Sequence, residues 1–189
     1  RKYTARCNHI QDLIALTDEL TALYIDRGYI TSMAYLKEQD ILDRQLEINV
    51  VEGRIEKIGD ERPGLNAAFF GLKGKYLNLR DLEVAIDRIN RLPSHQAKVN
   101  MRPGSKEGWS VVDVPIQRLK PWRITLSDNN FGSEETGKNQ GSASLQWDSP
   151  LGIFDQLTVQ TTATLPQREK QNTDTQAFSY SVPFGRLLF

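Results

Sequence analysis

The stretch GYITSMAYLKEQDILDRQLEINVVEGRIEKI, residues 28–58, decides how the chain is built. A helix stops at Gly28: between Ile10 and Arg27 the apolar residues Leu13, Leu16, Leu20, Leu23 and Tyr24 recur at helical spacing, and glycine is a common C-terminal stop. Residues 30–36 and 45–51 then read as strands, the second with β-branched Ile48, Val50 and Val51. Glu52-Gly53 interrupts in the manner of a turn or bulge, and the chain resumes as RIEKI. The result is a module with extended edges and no grouping of residues that does chemistry.

The same grammar returns further on. RIEKIGDE reads as a strand and GLNAAFFGLKG as a short helix edged by glycines. LNLRDLEVAIDRINRLP is a strong helix with Leu79, Leu82, Ala85, Ile86 and Ile89 as its stripe, Asn78 as its cap and Pro93 closing its end. AKVNMRPGSKEGWSVVDVPI reads as a hairpin: Ala97, Val99 and Met101 alternate, PGSKEG turns, and Trp109 to Ile116 return. Residues 54–118 therefore spell β-α-α-β-β. Residues 8–53 spell α-β-β, the same unit without its first strand and helix, so the two form an internal repeat.

After about residue 120 the period changes to two. Trp122, Ile124 and Leu126 alternate with Arg123, Thr125 and Ser127, and Ala143, Leu145 and Trp147 with Ser144 and Gln146. Leu157, Val159, Thr161 and Ala163 follow the same rule, as do Phe178, Tyr180 and Val182. Such segments, joined by a short DSPLGIF and by longer polar stretches at 132–140 and 166–176, fit the strands of an outer-membrane barrel. Half of a soluble β-sandwich shows the same alternation, and on pattern alone both readings stand. Four strands cannot close a barrel, since the smallest need about eight.

Bulk composition narrows the function. The chain has 189 residues with 24 basic and 24 acidic side chains, so it lacks the basic field expected of a nucleic-acid binder. No apolar run approaches the roughly 18 residues of a membrane-spanning helix, and the opening RKYTARCNHIQDL has no signal-peptide core. His9 and His95 are far apart and have no cysteine or acidic cluster at ligand spacing, so neither a metal nor another cofactor is expected. No Ser/His/Asp grouping, paired-carboxylate site or phosphate-binding loop suggests an enzyme. The single cysteine, Cys7, fits a free thiol or one half of a disulfide with a partner outside the chain.

Several motifs carry a resemblance. YIDRGYITSMAYLKEQDI followed by LEINVVEGRIEKI resembles the end of the first periplasmic POTRA domain of the two-partner-secretion outer-membrane transporters. This is the TpsB family, with haemolysin-activator, filamentous-haemagglutinin and contact-dependent-inhibition transporters among its members. LNLRDLEVAIDRINRLPS with VNMRPGSKEGWSVVDV resembles that family's second, ShlB-type POTRA domain, and DNNFGSEETGKNQGSASLQWDSPLGIFDQL resembles the opening of its barrel. The resemblance implies an α+β fold of POTRA repeats (β-α-α-β-β) followed by the opening antiparallel strands of an outer-membrane β-barrel of roughly sixteen strands. It implies residues 1–53 as the C-terminal part of the first POTRA domain, 54–118 as the second and 119–189 as truncated barrel. The family's lid-loop motif and its plug helix are absent; Arg27-Gly28-Tyr29 matches the former in letters only, because it ends a helix.

The resemblance further implies a location in the Gram-negative outer membrane with the POTRA domains in the periplasm, and a periplasmic partner cysteine for Cys7. It implies transport of an unfolded, TpsA-type exoprotein, captured through its N-terminal secretion domain and secreted without ATP; the alternative is an assembly factor that inserts other barrels. Capture is expected by strand addition to an open sheet edge. The expected exoprotein contacts are Ala97, Val99 and Met101 on that edge, with Phe69 and Phe70 lining a groove and one of the two phenylalanines exposed. Trp122 and Trp147 are expected at the interface with outer-membrane lipid. Free edges on the barrel strands are expected to favour self-association, and no nucleic-acid partner is expected.

Overall fold

The computed structural model describes residues 9–39, 45–60, 62–130, 132, 138–164, 174–184 and 187–188; Cys7 lies outside them. Three helices and thirteen strands occur among the described residues, in the order α1 (Ile10–Asp26), β1 (Met33–Tyr35), β2 (Asn49–Val51), β3 (Arg54–Ile58), α2 (Pro63–Ala68), α3 (Leu79–Asn90) and β4 (His95–Ala97). There follow β5 (Asn100–Pro103), β6 (Trp109–Asp113), β7 (Ile116–Arg118), β8 (Trp122–Asn129), β9 (Gln140–Asp148), β10 (Gln156–Thr164), β11 (Asp174–Ser181), β12 (Pro183–Phe184) and β13 (Leu187–Leu188). These assort into two compact units interleaved in sequence: residues 1–61, 69–84 and 99–115, and residues 62–68, 85–98 and 116–189.

In the first unit α1 ends where the sequence places its stop. Gly28 adopts φ +90°, a left-handed conformation costly for other residues, and its N–H closes the last turn on the Ile25 carbonyl at 2.8 Å. The start of α3 is built onto this end. The Asn78 side chain donates to the Arg27 carbonyl (3.0 Å) and accepts from the Arg80 N–H (3.0 Å), while the Leu79 N–H reaches the Gly28 carbonyl (2.8 Å). Thus one amide caps α3 and satisfies an orphan carbonyl of α1. β1 and β2 pair antiparallel, Met33 opposite Val51, and Gly53 beyond them donates to Ser32 Oγ at 3.0 Å.

The unit's main sheet has the order β3-β6-β5, with β3 parallel and β5 antiparallel to the central β6. Ile55, Leu77, Leu82 and Val112 are fully buried in this unit, and Phe69 is nearly so. The hairpin turn is tied to β3 by Glu56, whose carboxylate accepts from Ser105 N (2.6 Å) and Oγ (3.1 Å).

The expected continuous strand through Ala97, Val99 and Met101 is not formed. β4 ends at Ala97 and pairs with β7, Val99 lies in a connection, and Met101 belongs to β5 in another sheet. The cause is Asn90, whose side chain takes the Ala97 N–H (2.6 Å) and donates to the Ala97 carbonyl (3.1 Å), standing where a neighbouring strand would pair. Two smaller differences concern helices. Phe69 and Phe70 follow the end of α2 in a turn rather than lying within the helix, and in α1 the buried residue is Thr17 while Leu23 is exposed.

The second unit is dominated by an antiparallel meander in the order β11-β10-β9-β8, with eight or nine paired residues at each interface. The short connection, residues 149–155, joins β9 to β10 at one end. The connections between β8 and β9 and between β10 and β11 lie at the other.

The double role of Asn78 sets a graded expectation. Asn78→Ala removes the cap and leaves the Arg27 carbonyl unpaired, and should cost about 1–2 kcal/mol in chemical denaturation. Asn78→Asp keeps the cap, loses only the donor, and should fall between wild type and alanine.

Candidate functional site

The first candidate surface is β5, an edge strand exposed along its whole length. Its hydrogen-bonding direction follows from one contact: Gly104 N–H donates to the Trp109 carbonyl at 2.7 Å, toward β6. Antiparallel backbone groups alternate, so Arg102 and Asn100 also face β6, whereas Met101 and Pro103 face outward. Pro103 has no N–H to leave unpaired, a usual reason for proline on an edge. The outward face therefore offers one donor, the Met101 N–H, and the carbonyls of Met101 and Pro103. Arg102 Nε braces the strand on Asp113 at 2.7 Å.

The expected contact residues do not lie together on this strand. Met101 is exposed on β5, and Phe70 is 60% exposed in the turn after α2, while Phe69, at 3%, is a core residue. Val99 is half-buried between strands. Ala97 is buried in the second unit, against an open hollow of about 410 Å³ lined by Asn90, Pro93, His95, Gln96, Ala97 and Lys98.

The second candidate surface is the four-stranded sheet, whose register sorts side chains into rows across all strands. Trp122, Trp147, Leu157 and Tyr180 form one row, Ile124, Leu145, Val159 and Phe178 the next, and Leu126, Ala143, Thr161 and Gln176 a third. Leu126 and Phe178 are 76% and 72% exposed, so this apolar face is uncovered in the chain. Beyond it the row of Asp128, Gly141, Ala163 and Asp174 brings in charge. The opposite face carries Arg123, Gln146, Thr158 and Ser179, then Thr125, Ser144, Gln160 and Ala177. Trp122 and Trp147 are direct cross-strand partners at the end of the short connection, and Lys120 Nζ sits 3.7 Å over the Trp122 ring.

The short connection and the strand end before it hold residues that pattern reading passes over as loop polarity. Asp148 is fully buried and accepts from Ser94 N (3.1 Å), Gln156 Nε2 (2.9 Å) and both terminal nitrogens of Arg123 (3.2 and 3.4 Å). Asp155, also fully buried, accepts from the Leu151 and Ile153 N–H groups and from the Tyr180 hydroxyl at 3.0 Å. Arg91 donates to the Phe154 carbonyl (3.1 Å) and Ser181 Oγ (3.0 Å). The available signal was the pair of acids bracketing SPLGIF at strand ends. Among the described residues no group of His, Cys, Asp and Glu could hold a metal ion, and no helix is long and apolar enough to cross a membrane.

Residues 108–189 match the haemolysin secretion/activation protein ShlB/FhaC/HecB family, residues 1–53 the ShlB-type POTRA domain, and residues 48–103 a further POTRA domain. The chain is 38% identical to the outer membrane transporter CdiB of Escherichia coli O6:K15:H31, over 97% of this chain and 32% of that protein. It is 35% identical to the hemolysin transporter protein ShlB of Serratia marcescens, over 97% of this chain and 33% of that protein. The solved structure of CdiB from Escherichia coli superposes with a TM-score of 0.91 at 35% identity, over 99% of this chain and 36% of that one. The chain thus spans about a third of the length of the curated relatives it matches.

His95 supplies a pH expectation. Burial lowers its pKa below the ordinary 6.5; the facing Arg118 lowers it further, and Asp148 opposes both. Ser94 Oγ lies 2.9 Å from Nδ1 and the Phe154 ring packs against the imidazole in a T-shaped arrangement at 5.5 Å. The folded state disfavours the imidazolium, so this contribution to stability is complete above pH 6.5 and is lost as pH falls below it. Thermal unfolding should show a midpoint that falls between pH 7 and 5 more steeply for wild type than for His95→Gln.

Proposed function

We propose, for a chain whose residues 108–189 belong to the haemolysin secretion/activation protein ShlB/FhaC/HecB family and whose earlier residues form POTRA domains, that it captures an unfolded exoprotein in the periplasm and passes it through an outer-membrane β-barrel. This is two-partner secretion, or type Vb, in which the bound segment is the N-terminal secretion domain of a TpsA-type exoprotein. On this reading residues 1–53 and 54–118 are successive POTRA regions and 119–189 are barrel; β7 ends at Arg118 and β8 starts at Trp122.

The observation that carries the reading is the two-faced sheet. Hydrocarbon tolerates a strand only when its backbone is paired and its outward side chains are apolar. The Trp122–Trp147–Leu157–Tyr180 row then marks the membrane interface on the POTRA side, facing the periplasm, and the longer connections face the exterior. β8 and β11, the edges of this sheet, need partners, from further strands or from a second copy. Cys7 is assigned to a disulfide with a periplasmic cysteine outside the chain. The work is transport rather than catalysis, since strand addition and folding outside the cell supply direction without ATP. An assembly factor for other barrels has no specific observation in its favour.

Capture is assigned to the outward groups of β5 beside Met101, with Phe70 as the exposed aromatic contact. Calorimetric titration with the secretion domain should show Met101→Pro weakening binding about tenfold, or about 1.4 kcal/mol, through loss of the one outward donor. Met101→Ala, which keeps that N–H, should bind within about threefold of wild type. Equal binding by the folded proline variant would move capture elsewhere.

The barrel assignment has its own check. Ile124→Arg places a charge on the apolar face and should cost about 2–4 kcal/mol, depleting heat-modifiable transporter from the outer membrane. Thr125→Arg, one residue along on the polar face, should assemble normally. Equal tolerance of both would argue for a soluble sheet.

A further inference from the structure

We infer that Arg91 is a positioning residue for secretion, fixing the end of α3 and the segment after it to the 149–155 turn of the barrel sheet; this rests on the transport reading above. A hairpin needs as few as two residues to reverse direction, and this turn spends seven. Two of them are non-glycine residues in the left-handed region, Ser149 at φ +56° and Phe154 at +60°. A bulky aromatic in that conformation persists only where its surroundings over-determine it.

Those surroundings come from the POTRA side of the sequence. Phe154 is buried with its ring edge against His95, and its carbonyl accepts from Arg91. Gly64 in α2 makes room for the turn: a Cβ there would stand 2.7 Å from the Gly152 carbonyl oxygen and 3.1 Å from the Phe154 ring. Arg91 bridges the turn to Ser181 at the end of β11.

The placement along the chain gives the device its meaning. Asn90 holds Ala97 by both backbone groups, and the next residue, Arg91, holds the barrel turn. Two adjacent side chains at the end of α3 thus tie residues 90–97 to the turn between β9 and β10. Positioning of the segment that joins α3 to the barrel turn governs transfer rather than binding.

The test separates three quantities in cells carrying the complete gene: folded transporter in the outer membrane by heat-modifiable migration, exoprotein affinity of the detergent-solubilised transporter, and exoprotein secreted per assembled transporter. Arg91→Met and Gly64→Ala, which disturb the latch from opposite sides, should each leave affinity within twofold and cut secretion per transporter about tenfold, with Arg91→Lys between. The double variant should lose no more than the worse single one, because both disable one device. If Arg91→Met fails to assemble, Gly64→Ala and Arg91→Lys read the same ratio. Unchanged secretion per transporter would overturn the inference, as would affinity and secretion falling in parallel. Failure of the wild type itself to bind or secrete would instead overturn the transport reading.

Discussion

A carboxylate as completely buried as Asp148 must be ringed by donors, and here they come from separate stretches of chain. Ser94 follows α3, Arg123 lies on β8 and Gln156 opens β10. An unpaired charge in such a place costs several kcal/mol, and the Ser94 N–H from the segment after α3 completes a donor set that the sheet begins with Arg123 and Gln156. The dependence runs both ways, since Leu119 N–H returns to the Ser94 carbonyl at 2.7 Å just before β8 begins. The two-faced sheet and the POTRA-side segment are thereby committed to each other through one acid.

Much of the architecture could be read from residue order because it is written in strong local periods. The stripe before Gly28 marks a helix over 10–27, and α1 spans Ile10–Asp26. The alternation after residue 120 gives β8 to β11, and the register then aligns Trp122 with Trp147, placing the two expected interface residues side by side. One of Phe69 and Phe70 was expected to be exposed, and Phe70 is.

What stayed hidden depends on contacts distant in sequence. The residues AKVNM alternate well enough to read as one strand, yet an amide seven residues earlier captures Ala97 and ends it. Asp148 and Asp155 look like ordinary loop acids, since nothing in DSPLGIFD says that both carboxylates turn inward. Nor does sequence distinguish the outward from the inward groups of β5; that needs the Gly104–Trp109 contact. Such misses gather at the proposed functional surfaces, where local preference yields to tertiary demand.

Pro103 on the outward side of β5 has a consequence for time as well as affinity. An added strand finds one donor and two acceptors there, and each such bond contributes about 0.5–1.5 kcal/mol net. Backbone pairing alone then gives a grip of only a few kcal/mol, which at ordinary association rates lasts far less than a second. Under the proposed capture a short dwell is an advantage: each segment would be released before the next needed the edge, and throughput would not be limited by the receptor's own hold.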